Sequence, residues 1–126
     1  MTEQVLIAQL ELNKPFGTQI CQQMVEAIKK IGFAEQDIVN LPEFEQAEFS
    51  LIQDPYTADH NLMGSWYDDN KHRLGQIQFN SDGSFYAEYD IVQPHPSKKK
   101  WFVEGMSAWG NRGDIRTEAK LLPALE

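Results

Sequence analysis

Two glutamates, a tyrosine and a histidine are the residues of this 126-residue chain whose types and spacing could do chemistry. Glu88 and Glu104 lie in two alternating runs, 84–92 and 101–109, which fold back on each other if the chain reverses near Pro96. With 92 opposite 100, Ile91 faces Trp101, Tyr89 faces Val103 and Glu88 faces Glu104. Cross-strand neighbours lie about 5 Å apart at Cβ, close enough for two carboxyl groups to share a proton. One would then serve as acid while the other stays ionised, with Tyr86 beside them, or the pair could hold a metal through oxygen. His95, fixed between Pro94 and Pro96, adds an imidazole able to act as a base near neutral pH. The competing reading is a solvated charge ladder. Pairing 79 with 85 and 104 with 120 sets Gln76, Glu88, Glu104 and Lys120 in one row, and antiparallel sheets often keep one face wet in this way.

Other site signatures are absent from the sequence. It has no Gly-x-Gly-x-x-Gly, P-loop, Cys-x-x-Cys or Gly-x-Ser-x-Gly, and His60, His72 and His95 lack metal-ligand spacing, so no cofactor and no metal are expected. Cys21 falls between Ile20 and Met24, where a thiol behaves as a small inert hydrophobe.

The elements that would position these residues follow from periodicity. The run 5–12 alternates and reads as a strand stopped by Asn13-Lys14-Pro15. From Pro15, the residues Phe16, Ile20, Met24, Ala27, Ile28 and Ile31 recur at spacings of three and four, which predicts an amphipathic helix closed by Lys29, Lys30 and Gly32. The acidic stretch 34–48 reads as a connector, and 49–52, 62–67 and 74–79 as strands. Asn80-Ser81-Asp82-Gly83 and Gly110-Asn111-Arg112-Gly113 are hairpin turns, so 74–122 should form a four-stranded meander. Its core face would carry Phe85, Ala87, Tyr89 and Ile91, then Trp101, Val103, Gly105, Ser107 and Trp109, then Ile115, Thr117, Ala119 and Leu121. Helix and strand patterns do not interleave, which argues against a parallel sheet. The expected fold is α+β: one long N-terminal helix on a curved, mainly antiparallel sheet of six to seven strands, in a single compact domain spanning 1–126.

Composition narrows the function classes. The net charge of −8 disfavours nucleic acid and anionic membranes, and Lys98-Lys99-Lys100 reads as protection of an edge or loop mouth. One cysteine, no long apolar run and no basic leader suggest a cytoplasmic protein. Gly64-Ser65-Trp66-Tyr67 resembles the Gly-x-Trp opening of the lipocalins. That family needs eight barrel strands after the motif, and about five follow here. Three classes of function are compatible with the whole. A non-catalytic module binding a small molecule or a protein is favoured by the aromatic content and the missing catalytic signatures, with Trp66, Tyr67, Gln76 and Lys120 as candidate contacts. A small hydrolase or lyase would use Glu88 and Glu104, with His95 or Tyr86. An oligomeric structural or regulatory protein would pair exposed edge strands between subunits.

Overall fold

Among the described residues, one α-helix lies across one face of an open six-stranded antiparallel meander, and a 3-10 turn at Phe44–Gln46 precedes the first strand. The computed structural model describes residues 2–30, 32, 42–53, 56, 59–90, 101–111 and 113–123, with side chains for all of these except 2, 101–105 and 120–123. The helix, α1, is Thr2–Lys30. The strands are β1 (Glu48–Gln53), β2 (His60–Tyr67), β3 (Arg73–Phe79), β4 (Ser84–Tyr89), β5 (Trp101–Asn111) and β6 (Asp114–Pro123). Each pairs with the next, so β1 and β6 are the edges and the sheet does not close.

The expected strand over 5–12 is instead the first half of α1. Its alternation is incidental to a helical spacing, because half-buried Leu6 and Leu10 continue at intervals of three and four into buried Asn13, Phe16, Ile20, Met24 and Ile28. Pro15 therefore lies inside the helix rather than at its start. It removes the N–H that would otherwise donate to the Glu11 carbonyl, at a usual cost of about 3 kcal/mol. The Asn13 side chain donates to the Gln9 carbonyl at 2.9 Å in the turn before Pro15, and the apolar stripe on both sides of Pro15 holds the helix to the sheet.

The core forms between that stripe and the inner face of the sheet, which carries Leu62, Trp66, Ile77, Phe79, Phe85, Ala87, Tyr89, Met106 and Ala108. Phe16 meets Phe85 edge to face, with ring centres 5.3 Å apart, and Phe44 packs on Phe49 at 4.8 Å. Two carboxylates tie the hairpin turns. Asp68 accepts from the backbone N–H of His72 and of Asn70, and Asp82 accepts from the Ser84 hydroxyl and N–H. These donors hold both carboxyls below the usual aspartate range. The stabilisation is present above the ordinary aspartate pKa and is lost as pH falls through the depressed one.

The β3–β4 register matches expectation, with Phe79 opposite Phe85 and Gln76 opposite Glu88. The β4–β5 register does not. Glu88 stands opposite Ser107, Tyr86 opposite Trp109, and Tyr89 opposite Met106. An odd displacement turns β5 over, since side chains alternate with period two. Met106 and Ala108 therefore enter the core, while Ser107 and Trp109 move to the outer face with Glu88. The β5–β6 register also differs by one, with Gly105 rather than Glu104 opposite Lys120, because β5 continues to Asn111 and a two-residue connection leads to Asp114. A register irregularity between Val103 and Gly105 passes over Glu104.

Candidate functional site

The candidate site is the outer face of the sheet, opposite the helix. Its first row runs through all six strands as Glu48, Ser65, Gln76, Glu88, Ser107 and Glu118. The next row is Ser50, Met63, Gln78, Tyr86, Trp109 and Arg116. Alternation alone places most of these residues, because each outer side chain lies between two that enter the core.

Arg73 arrives there by a different route. Trp66 pairs with Gly75 but Tyr67 pairs with Arg73, so Leu74 is an extra residue in β3. Such a bulge re-aims a side chain, and this one gives Arg73 the same face as Gln76 despite their odd separation. The result is a connected polar cluster. The Arg73 guanidinium donates to Gln76 Oε1, Gln76 Nε2 donates to Glu88 Oε1 at 3.1 Å, and the Tyr86 hydroxyl donates to Glu88 Oε2 at 3.3 Å. Gln76 and Glu88 are half-buried, whereas Tyr67 and Tyr86 remain 43% and 41% exposed. The cluster fixes both carboxylate oxygens and leaves further lone pairs free to accept from a ligand. Its aromatic neighbours offer large apolar surface with few rotatable bonds.

The proton-sharing pair expected from the sequence is not assembled by this register. Glu104 lies three residues along β5 from the position opposite Glu88, about 10 Å of strand away. Within the described row, Glu118 is two strands from Glu88, a comparable separation. The side chains of Glu104 and Lys120 lie outside the described residues, as does His95 entirely. Of the other residues singled out in the sequence, Gln76, Tyr67, Tyr86 and Glu88 come together on the outer face. Trp66 is turned inward, 2% exposed, with its indole N–H donating to the Glu43 carbonyl at 2.8 Å. Sequence reasoning missed Arg73 and Trp109. Gly75, next to an apolar residue between two alternating segments, was the available sign of the bulge.

Clefts also open elsewhere among the described residues. One, about 330 Å³, lies between α1 and 42–45 and is lined by Thr18, Cys21, Gln22, Glu43 and Phe44 among others. Burial, and secondarily the charge of Glu43, push the Cys21 thiol up to about 12. Ellman's reagent at pH 8 should accordingly label native Cys21 far more slowly than the urea-unfolded chain, since the thiolate is the nucleophile. Equal rates would show the thiol to be accessible and ionised. Another cleft, about 370 Å³, is lined by Val5, Leu12, Asp59, His60, Asn80 and Ser81 among others. His72 is exposed beside Asp68, with Nδ1 3.5 Å from Oδ2. No group of three or more His, Cys, Asp or Glu that could hold a metal occurs among the described residues, and no helix among them is long and apolar enough to cross a membrane. No family model, curated protein or solved structure matches the chain.

Proposed function

We propose that this chain is a non-catalytic binding module that takes a partner protein on the outer face of its sheet. The observation that carries the reading is the exposure of Tyr67 and Tyr86 beside the Arg73–Gln76–Glu88 cluster, on a face that no described element covers. Tyr, Trp and Arg are the residue types that dominate binding energy at protein interfaces, and Tyr86, Trp109, Tyr67, Arg73 and Arg116 gather here. The partner presents lysine or arginine at the Glu88 carboxylate and an apolar patch at the aromatic side chains. A net charge of −8 would speed such an encounter at low salt.

The test is affinity purification followed by reconstitution of the captured pair. Tyr86→Ser/Glu88→Gln should weaken the reconstituted complex by about tenfold or more, with its melting curve retained. Added salt should lower the affinity further. A complex unchanged by that pair but lost on Gln22→Ser/Gln23→Ser would move the binding surface to the helix and end this reading.

A further inference from the structure

The sheet stops at β6 with one side of the strand unpaired among the described residues. An open strand edge is a template for another strand, and proteins commonly blunt it with charged side chains, with proline or with a bulge. Pro123 ends β6 and a register irregularity lies just beyond Lys120, but between Asp114 and Lys120 the charges follow a self-complementary order. Asp114, Arg116, Glu118 and Lys120 occupy alternate positions and alternate in sign, separated by Ile115, Thr117 and Ala119. The register of β5 against β6 is regular from Gly105–Lys120 to Asn111–Asp114, so these residues form one continuous edge.

We propose that β6 pairs antiparallel with β6 of a second copy of this chain, about a two-fold axis at Thr117. In that register Asp114 stands opposite the partner's Lys120 and Arg116 opposite the partner's Glu118, and symmetry repeats both pairs, because a two-fold contact uses the same patch twice. Every charged position from 114 to 120 meets the opposite sign. On the inner side Ile115 stands opposite the partner's Ala119, and Thr117 meets its own copy.

Other registers of the same strand do not have this property. An axis at Arg116 sets arginine on arginine and Asp114 on the partner's Glu118, whereas an axis at Glu118 sets glutamate on glutamate and Arg116 on the partner's Lys120. An axis at Ile115 pairs only 114–116 of the strand. One at Ala119 leaves Arg116 opposite the partner's Leu122. Opposite charges across a strand pair stabilise and like charges destabilise, so the pattern selects one register and one partner.

Within the monomer, Arg116 Nε donates to Asp114 Oδ2 at 3.0 Å, with the two side chains 67% and 53% exposed. An ion pair this exposed contributes little, and Arg116 can be shared between Asp114 and the partner's Glu118. The axis is perpendicular to the sheet, so the two outer faces look the same way and the two helices lie together on the opposite side. Pairing through one edge buries less area than a standard protein interface, so the dimer forms and dissociates with concentration. This inference stands on the edge charges and does not rest on the outer-face reading.

Sedimentation velocity over roughly 1–500 μM should show the wild-type chain passing from monomer to dimer, in a range typical of small interfaces. Arg116→Glu and Glu118→Arg each place two like-charged pairs at the axis and should weaken self-association about tenfold or more. The two variants mixed in equal amounts should reassociate, because positions 116 and 118 are then both acidic in one chain and both basic in the other. The double variant Arg116→Glu/Glu118→Arg should self-associate like wild type. A wild-type mass that stays monomeric throughout, a dimer indifferent to the single reversals, or a mixture that remains monomeric would each overturn the proposal.

Discussion

Gly75→Ala should lower the melting temperature by on the order of 10 °C, equivalent to about 3 kcal/mol in a domain of this size. A Cβ at this position would stand against the Glu88 carbonyl oxygen, inside contact distance, and 2.9 Å from Tyr89 Cα. Both obstacles are backbone of the neighbouring strand, so no rotamer change relieves them and β3 must part from β4. Gly75 is also the centre of the inner row in which Trp66 and Tyr89 flank it on either side. The two rings meet across it with centres 5.7 Å apart, nearly perpendicular. The same substitution should displace the bulge that brings Arg73 onto the outer face. Thermal melts would read the stability, and amide chemical shifts of Gln76 and Glu88 would read the bulge. A melting temperature within about 2 °C of wild type, less than the shift expected for 1 kcal/mol, would mean that β3 and β4 separate at little cost.

That bulge also shows where the sequence stops being informative. Alternation and turn chemistry suffice for β3 and β4, since Asn80-Ser81-Asp82-Gly83 is a tight turn with Gly83 at φ 92° and leaves one register. Between β4 and β5 the residue types of 93–100, with two prolines, spell no particular turn and are compatible with several registers. A wrong choice there reversed the faces of β5. It placed Trp109 in the core and Glu104 beside Glu88, where the structure has Ser107. The helix was legible from Phe16 onward because its stripe is strongly apolar. Before Pro15 the stripe thins to Leu6 and Leu10, and proline there resembles a start signal. Long-range packing decides both cases, and a window of ten residues does not contain it.

The candidate site inherits this division. Gln76, Tyr86 and Glu88 were legible because they sit on the one hairpin whose register local chemistry fixes. Arg73 was not, since one extra residue, Leu74, changes which face it shares. The carboxylate pair depended on the connection with the least local information. Among the described residues, Glu88 accepts from Gln76 and Tyr86 on that hairpin, and Ser107 is the residue opposite it in β5.

Trp66→Ala should cost about 3–5 kcal/mol, the usual range for removing a buried aromatic side chain, which is a large part of the 5–15 kcal/mol that holds a typical domain folded. The side chain is 2% exposed, fills the space above Gly75 against Tyr89, and ties β2 to the segment before β1 through its bond to the Glu43 carbonyl. Trp66→Phe should cost less, about 1–2 kcal/mol, because the ring contact survives. Glu43 also keeps the Gln46 N–H at 3.0 Å as a donor. Urea unfolding would rank the two variants. Burial raises the Tyr89 phenol above the ordinary tyrosine value, so opening a cavity beside it should bring its titration back down, visible as an earlier ultraviolet absorbance change on alkalinisation. Because Trp66 points away from the outer face, folded Trp66→Phe should bind the partner proposed for that face as tightly as wild type. A loss of stability in Trp66→Phe equal to that of Trp66→Ala would assign the whole effect to the indole N–H bond. A loss of binding without a loss of stability would place the partner on the helix side, where Trp66 and Glu43 meet.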